Sequence, residues 1–98
     1  MTINKTVNEN KLTFSLEGRL DTVTAPEFEK ELKNSLDNVT ELVLDLEKLD
    51  YISSAGLRVI LSAQKIMNRK GTMKVTHVNE VIMEILDVTG FSDILTVE

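Results

Sequence analysis

Leu42-Val43-Leu44-Asp45-Leu46-Glu47-Lys48-Leu49-Asp50-Tyr51-Ile52-Ser53-Ser54-Ala55-Gly56-Leu57-Arg58-Val59-Ile60-Leu61 decides the fold. An apolar strand, read over residues 39–46, gives way to an acidic loop over residues 47–56. The loop holds two serines that open an apolar helix. The continuous run Leu42-Val43-Leu44 predicts a strand covered on both faces. The helix is expected over residues 54–70, with Gly71 as its stop and Leu57, Val59, Ile60, Leu61, Ala63, Ile66 and Met67 wrapping most of its circumference. Ser54 therefore stands at the positive end of a helix, where backbone N–H groups lack intrahelical partners. On local sequence its hydroxyl is read first as the N-cap, worth about 1 kcal/mol, a role compatible with that of an exposed acceptor for a phosphoryl group.

The flanking segments read outward from this centre. Leu12, Phe14, Leu16 and Leu20 alternate with Thr13, Ser15, Glu17 and Arg19, the mark of a half-buried strand over residues 11–20. Residues 3–7 form a weaker strand before it, joined through Asn8-Glu9-Asn10 as a hairpin, and Gly18 predicts a bulge or a close backbone approach. Thr24-Ala25-Pro26-Glu27 supplies a capping hydroxyl, an early proline and a glutamate for a first helix that buries Ala25, Phe28, Leu32 and Leu36. Downstream, residues 73–78 read as a strand. Asn79 caps a third helix carrying Ile82, Ile85 and Leu86, Gly90 ends it, and residues 94–97 read as a last strand.

Strand, strand, helix, strand, helix, strand, helix, strand defines an α/β layer structure with mostly parallel pairing and one antiparallel N-terminal strand. Such sheets meet ligands and partners at loops leaving the carboxyl ends of their strands. The segments after residues 18 and 47 are expected to share that rim.

Composition narrows the functions further. Ninety-eight residues make one domain, read as residues 1–98, with 42% hydrophobic and 28% charged content. No apolar run approaches the roughly 20 residues of a membrane span. Met1-Thr2-Ile3-Asn4-Lys5 lacks a basic start followed by an apolar stretch, so no secretion is expected. The absence of cysteine fits a cytoplasmic setting. A net charge of −5 and a pI near 4.9 argue against nucleic acid. Lys65, Arg69 and Lys70 are accounted for by the dipole of the helix they end.

No catalytic constellation emerges, and the chain reads as non-enzymatic. His77 has no second His or Cys to help it and reads as a hydrogen-bonded or exposed strand residue. Asp21, Asp45, Glu47 and Asp50 lack calcium-loop spacing and read as solvated carboxylates, so no metal is expected. Ser53-Ser54-Ala55-Gly56-Leu57 has one glycine and no following Lys-Ser or Lys-Thr, so no nucleotide cofactor is expected.

The segment from Leu42 through Ser53-Ser54-Ala55-Gly56-Leu57 resembles the central element of the STAS domain family, in particular the stand-alone bacterial anti-sigma factor antagonists. Gly18-Arg19-Leu20-Asp21 with Thr22 resembles its second landmark, and Thr89-Gly90-Phe91 with Ile94 its C-terminal one. The resemblance covers nearly the full chain. It implies a single STAS-like domain with about three main helices, and a serine phosphorylated by a partner that is both anti-sigma factor and serine kinase. The unphosphorylated antagonist holds that partner and frees a sigma factor; a metal-dependent serine phosphatase resets the cycle.

Carried over by position, the phosphoacceptor falls on Ser54 in preference to Ser53. The partner-binding set is Asp21, Thr22, Ser53, Ser54, Gly56, Leu57 and Arg58. Family members often carry aspartate before the acceptor and serine or threonine after it, where this chain has Ser53 and Ala55. The expected molecule is a monomer when free. Two other readings of the same rim are a switch outside sigma control and a small-molecule or nucleotide sensor.

Overall fold

The computed structural model describes residues 1–98. Strands β1 (Thr2–Asn8) and β2 (Lys11–Leu20) are followed by helix α1 (Ala25–Ser35), β3 (Glu41–Ile52), α2 (Ser54–Lys70), β4 (Thr72–Thr76) and α3 (Glu80–Thr89). A 3₁₀ turn, Phe91–Asp93, comes last. The four strands lie in sequence order, β1-β2-β3-β4. β1 pairs antiparallel with β2 through the expected hairpin, and β2, β3 and β4 are parallel.

Topology explains why the helices share one side. The parallel strands succeed one another in a single direction, and right-handed crossovers then put α1 and α2 on the same face. Leu12, Phe14, Leu16 and Leu20 of β2 and Leu42, Leu44, Leu46, Leu49 and Ile52 of β3 meet the helices there. Phe28 of α1, Leu57, Ile60 and Met67 of α2, and Ile82 and Leu86 of α3 complete that core. Phe14 and Phe28 pack edge to face, with centroids 5.6 Å apart. The expectation that β3 is covered on both faces is corrected. Val43 is buried but stands outside the core cluster, flanked by its register partners Thr13 and Lys74.

β3 also runs six residues past the predicted end of its strand. Where β2 advances from Ser15 to Glu17, β3 advances from Asp45 to Lys48; where β2 steps from Gly18 to Arg19, β3 steps from Leu49 to Tyr51. Each irregularity adds one residue to β3. The bulge expected at Gly18 is thus present as a register shift, with the extra residue on the neighbouring strand. The acidic loop read over residues 47–56 is instead mostly strand, and it brings Ile52 opposite Leu20.

The last predicted strand is reduced to one rung, Val75↔Val97. Ile94 and Leu95 still donate to the Phe91 carbonyl, so only the final residues are left to pair with β4. β4 itself ends at Thr76, two residues short of the expected strand.

Candidate functional site

β2 and β3 end side by side. Leu20 pairs with Ile52, and the Ser53 N–H donates to the Leu20 carbonyl at 2.9 Å. Asp21 and Ser53-Ser54 therefore leave the sheet together, at the carboxyl ends of two adjacent parallel strands. Gly56 makes the close seating of α2 possible. A Cβ at that position would lie 2.7 Å from Leu20 Cγ and 2.9 Å from the Leu20 carbonyl oxygen.

The two serines divide two tasks that the sequence reading gave to Ser54 together. Ser53, in extended conformation, is the N-cap of α2, and its hydroxyl oxygen accepts from the Gly56 N–H at 3.4 Å. Ser54 is the first helical residue, exposed, and takes no part in the cap. The reading of Ser54 as the N-cap is therefore corrected. The first i→i−4 bond of the helix runs from Leu57 N–H to the Ser53 carbonyl. The N–H groups of Ser54 and Ala55 precede it and have no helical carbonyl to meet.

Asp21 is held by the turn it opens. Its Oδ1 accepts from the N–H groups of Val23 (3.0 Å) and Thr24 (3.1 Å). Thr24 Oγ1 accepts from the Asp21 N–H at 2.9 Å and donates to the Arg19 carbonyl at 2.7 Å, with Asp21 Oδ1 3.2 Å away. That engagement explains why Thr24 makes no side-chain cap on α1, contrary to the expected Thr24–Glu27 capping pattern.

Arg19 lies 3.7 Å from Asp21 Oδ2 and stacks 4.4 Å from the ring centroid of Tyr51, its register partner on β3. The Thr24 N–H, above all, lowers the Asp21 pKa below its ordinary value of 3.8; Val23, the Thr24 hydroxyl and Arg19 add to this, while desolvation opposes it. The carboxylate is thus ionised throughout the neutral range. Its favourable contribution to stability is fully present above the ordinary aspartate value and is lost as pH falls through the depressed one. A carboxyl-detected NMR titration should place the Asp21 midpoint below 3.8; a midpoint at or above that value would contradict the turn geometry.

Asp21, Thr22, Ser53, Ser54 and Arg58 are all partly or fully exposed around this rim. Two other proposed contacts are not. Leu57 is 5% exposed and belongs to the core, so its side chain anchors α2, and Gly56 is buried beneath Leu20. The expectation that Leu57 meets a partner directly is corrected on that ground. Sequence reading also passed over Val23, 85% exposed, and Tyr51, 36% exposed, which add apolar surface to the same rim. A valine inside a polar turn, and a tyrosine at a strand end, were the available signals.

Of the four loop carboxylates, Asp21 and Asp50 join no cluster of ligating groups. Asp45 and Glu47 instead approach His77, with ligand atoms within 4.8 Å of one another. Asp45 Oδ1 accepts from the Glu47 N–H at 3.1 Å and faces His77 Nδ1 at 3.1 Å, which accounts for the grouping by hydrogen bonding. His77 adopts a left-handed φ of 56° just beyond β4. The largest surface groove, about 400 Å3, follows α3 and includes none of the rim residues. No helix is long and apolar enough to cross a membrane.

A mixed sheet with its helices on one face, and a capped serine pair where β2 and β3 end, define the architecture of a STAS module. The STAS domain profile matches residues 2–98, and the chain belongs to the STAS domain family. It is 28% identical over 91 residues to the anti-sigma-B factor antagonist of Bacillus subtilis (strain 168), covering 92% of this chain and 84% of that protein. It is 32% identical over 89 residues to the anti-sigma F factor antagonist of Paenibacillus polymyxa, covering 88% and 76%.

An anti-sigma factor antagonist from Mycobacterium paratuberculosis shares the fold with a TM-score of 0.88 at 21% identity, covering 98% of this chain and 83% of that one. The Bacillus protein SpoIIAA is similar in its unphosphorylated form, with a TM-score of 0.79, 15% identity and coverage of 99% and 87%. Its phosphorylated form gives a TM-score of 0.77, 14% identity and coverage of 99% and 91%.

Proposed function

We propose that this chain is a non-enzymatic anti-sigma factor antagonist whose rim binds an anti-sigma factor with serine kinase activity, and that Ser54 is the residue this partner phosphorylates. The observation that carries the reading is the separation of roles between the serines. Ser53 caps α2, which leaves the Ser54 hydroxyl exposed and uncommitted at the helix start. The antagonist names of the relatives and the existence of a phosphorylated SpoIIAA of the same fold support it.

In the transfer, Ser54 Oγ forms a bond to the γ-phosphorus of ATP as the bond from that phosphorus to the β-bridging oxygen breaks. The hydroxyl proton passes to a base of the kinase, and ADP departs. The product dianion sits at the positive end of α2, beside the free N–H groups of Ser54 and Ala55. Arg58 lies one turn further on, in the favourable order of anion before cation.

The fold thus accommodates the phosphate, whereas an apolar contact over Val23 and Tyr51 does not. A metal-dependent serine phosphatase, a second partner, would restore the hydroxyl by hydrolysing the ester. Incubation with ATP and the kinase that co-purifies from the host should place one phosphate on Ser54, located by fragment mass spectrometry, and none on Ser54→Ala. Modification of Ser53 in both proteins would remove Ser54 from the mechanism.

A further inference from the structure

The net formal charge of −5 is carried by the last twenty residues. Glu80, Glu84, Asp87, Asp93 and Glu98 fall within residues 79–98 without a single Lys or Arg, while residues 1–78 hold eleven of each sign. Glu98 is paired with Lys74 at 3.8 Å. Glu80, Glu84 and Asp87 are exposed, and every ion pair of the structure lies elsewhere.

Beyond Glu80, whose first-turn position suits the helix dipole, the placement of these carboxylates works against the helix that carries them. Glu80 and Glu84 are a like-charge i,i+4 pair, and Glu84 and Asp87 repeat the repulsion at i,i+3. Asp87 stands in the last turn of α3, at the negative end of the dipole, where no basic residue relieves it. The other two helices are arranged oppositely: α1 pairs Glu29 with Lys33 at 3.8 Å, and α2 ends on Arg69 and Lys70. Apolar surface accompanies the charge. Val81 is 56% exposed, Val88 82% and Ile94 51%. The groove of about 400 Å3 sets Val78, Met83 and Val88 among the carboxylates of Glu80, Glu84 and Asp87.

We propose that the outer face of α3 is a docking surface for a cationic, amphipathic segment of a partner protein, separate from the Ser54 rim and independent of its phosphorylation. Lys or Arg side chains of that segment relieve the Glu80–Glu84–Asp87 repulsion, and an apolar side chain between them fills the groove against Met83 and Val88.

A Lys/Leu amphipathic peptide of about fourteen residues, four helical turns, serves as the probe, with its Glu/Leu counterpart as control. Amide shifts of the labelled protein should move over residues 78–94 with the Lys peptide alone, and the affinity should weaken as salt is raised. The double variant Glu84→Lys/Asp87→Lys should bind the peptide at least roughly tenfold more weakly. The same variant should melt roughly 4 °C higher, because it converts the Glu80–Glu84 repulsion into an i,i+4 ion pair and gives the last turn a dipole-matched charge, while the repulsion between positions 84 and 87 only changes sign.

An unchanged or lower melting temperature would mean that the native charges are not in conflict, and would overturn the proposal. So would shifts spread equally over the acidic positions of α1, or undiminished peptide binding by the double variant. Concentration-dependent shifts at Lys65 and Arg69 without peptide would assign the surface to a second copy of the chain, against the proposal.

Discussion

Ser54→Glu should lose its kinase partner while keeping its fold. The expected loss in affinity is about 100-fold, the scale on which a charge left unpaired in a closed interface acts. Ser54→Ala should bind as the wild type does. Calorimetry with the purified partner, or recovery of the kinase from host lysate on the three baits, gives the comparison. The melting temperature separates the explanations. Ser53 still caps α2 in the variant, and a carboxylate in the first turn favours the helix by about 0.3–1 kcal/mol. A variant that binds weakly and also melts early would point to damaged folding. Equal binding by all three proteins would end the phosphoswitch reading.

Gly71→Ala should be the most destabilising single-methyl change in the chain. A Cβ there would fall 1.8 Å from the Thr40 carbonyl oxygen, 2.6 Å from its carbon and 2.9 Å from its Cα. Those are backbone atoms, so no side-chain rotation makes room. The peptide is fixed from both sides: Gly71 N–H donates to the Met67 carbonyl at 2.8 Å, and Thr72 N–H donates to the Thr40 carbonyl at 2.9 Å. Relief requires the α2–β4 junction to move off β3, which disturbs the rung Glu41↔Thr72. Overpacking of this kind costs about 3 kcal/mol at the upper end of its usual range. For a domain of this size that corresponds to a fall in Tm of roughly 12 °C or more. A thermal melt within roughly 2 °C of wild type would show that the junction yields more easily than its geometry implies.

Local signals and long-range pairing contributed differently to what the sequence reveals. The hairpin, the three helices and Asn79 as the cap of α3 were legible because each depends on neighbours a few residues away. The end of β3 was not. Inward-facing Leu46, Leu49 and Ile52 are three residues apart, a spacing that misses the period of a strand and lies nearer that of a helix. Only the pairing with β2 shows the spacing to be a strand interrupted twice.

The candidate site was legible as a serine pair beside Asp21, and the resemblance marked the position of Ser54. Which serine caps α2 depends on where β3 stops, so the misplacing of the cap on Ser54 follows from the same missed strand. Leu57 was misplaced for a related reason: an apolar residue in a first helical turn looks available until the depth of the helix's seating beside Leu20 is known. The contact between Arg19 and Tyr51 links residues 32 apart in sequence and left no local trace.

The two interruptions of β3 behave like a pair of frameshifts. The first inverts which side chains face inward, from Leu42, Leu44 and Leu46 to Leu49; the second restores the original phase at Ile52. Removing either extra residue alone would close that bulge and leave Ile52 opposite Leu20, still facing the core. Removing both would give an uninterrupted strand that ends at the same place beside Leu20. The length of this strand can therefore change in evolution by one residue at either bulge, and a relative with a one-residue gap here still delivers its first serine beside the end of β2.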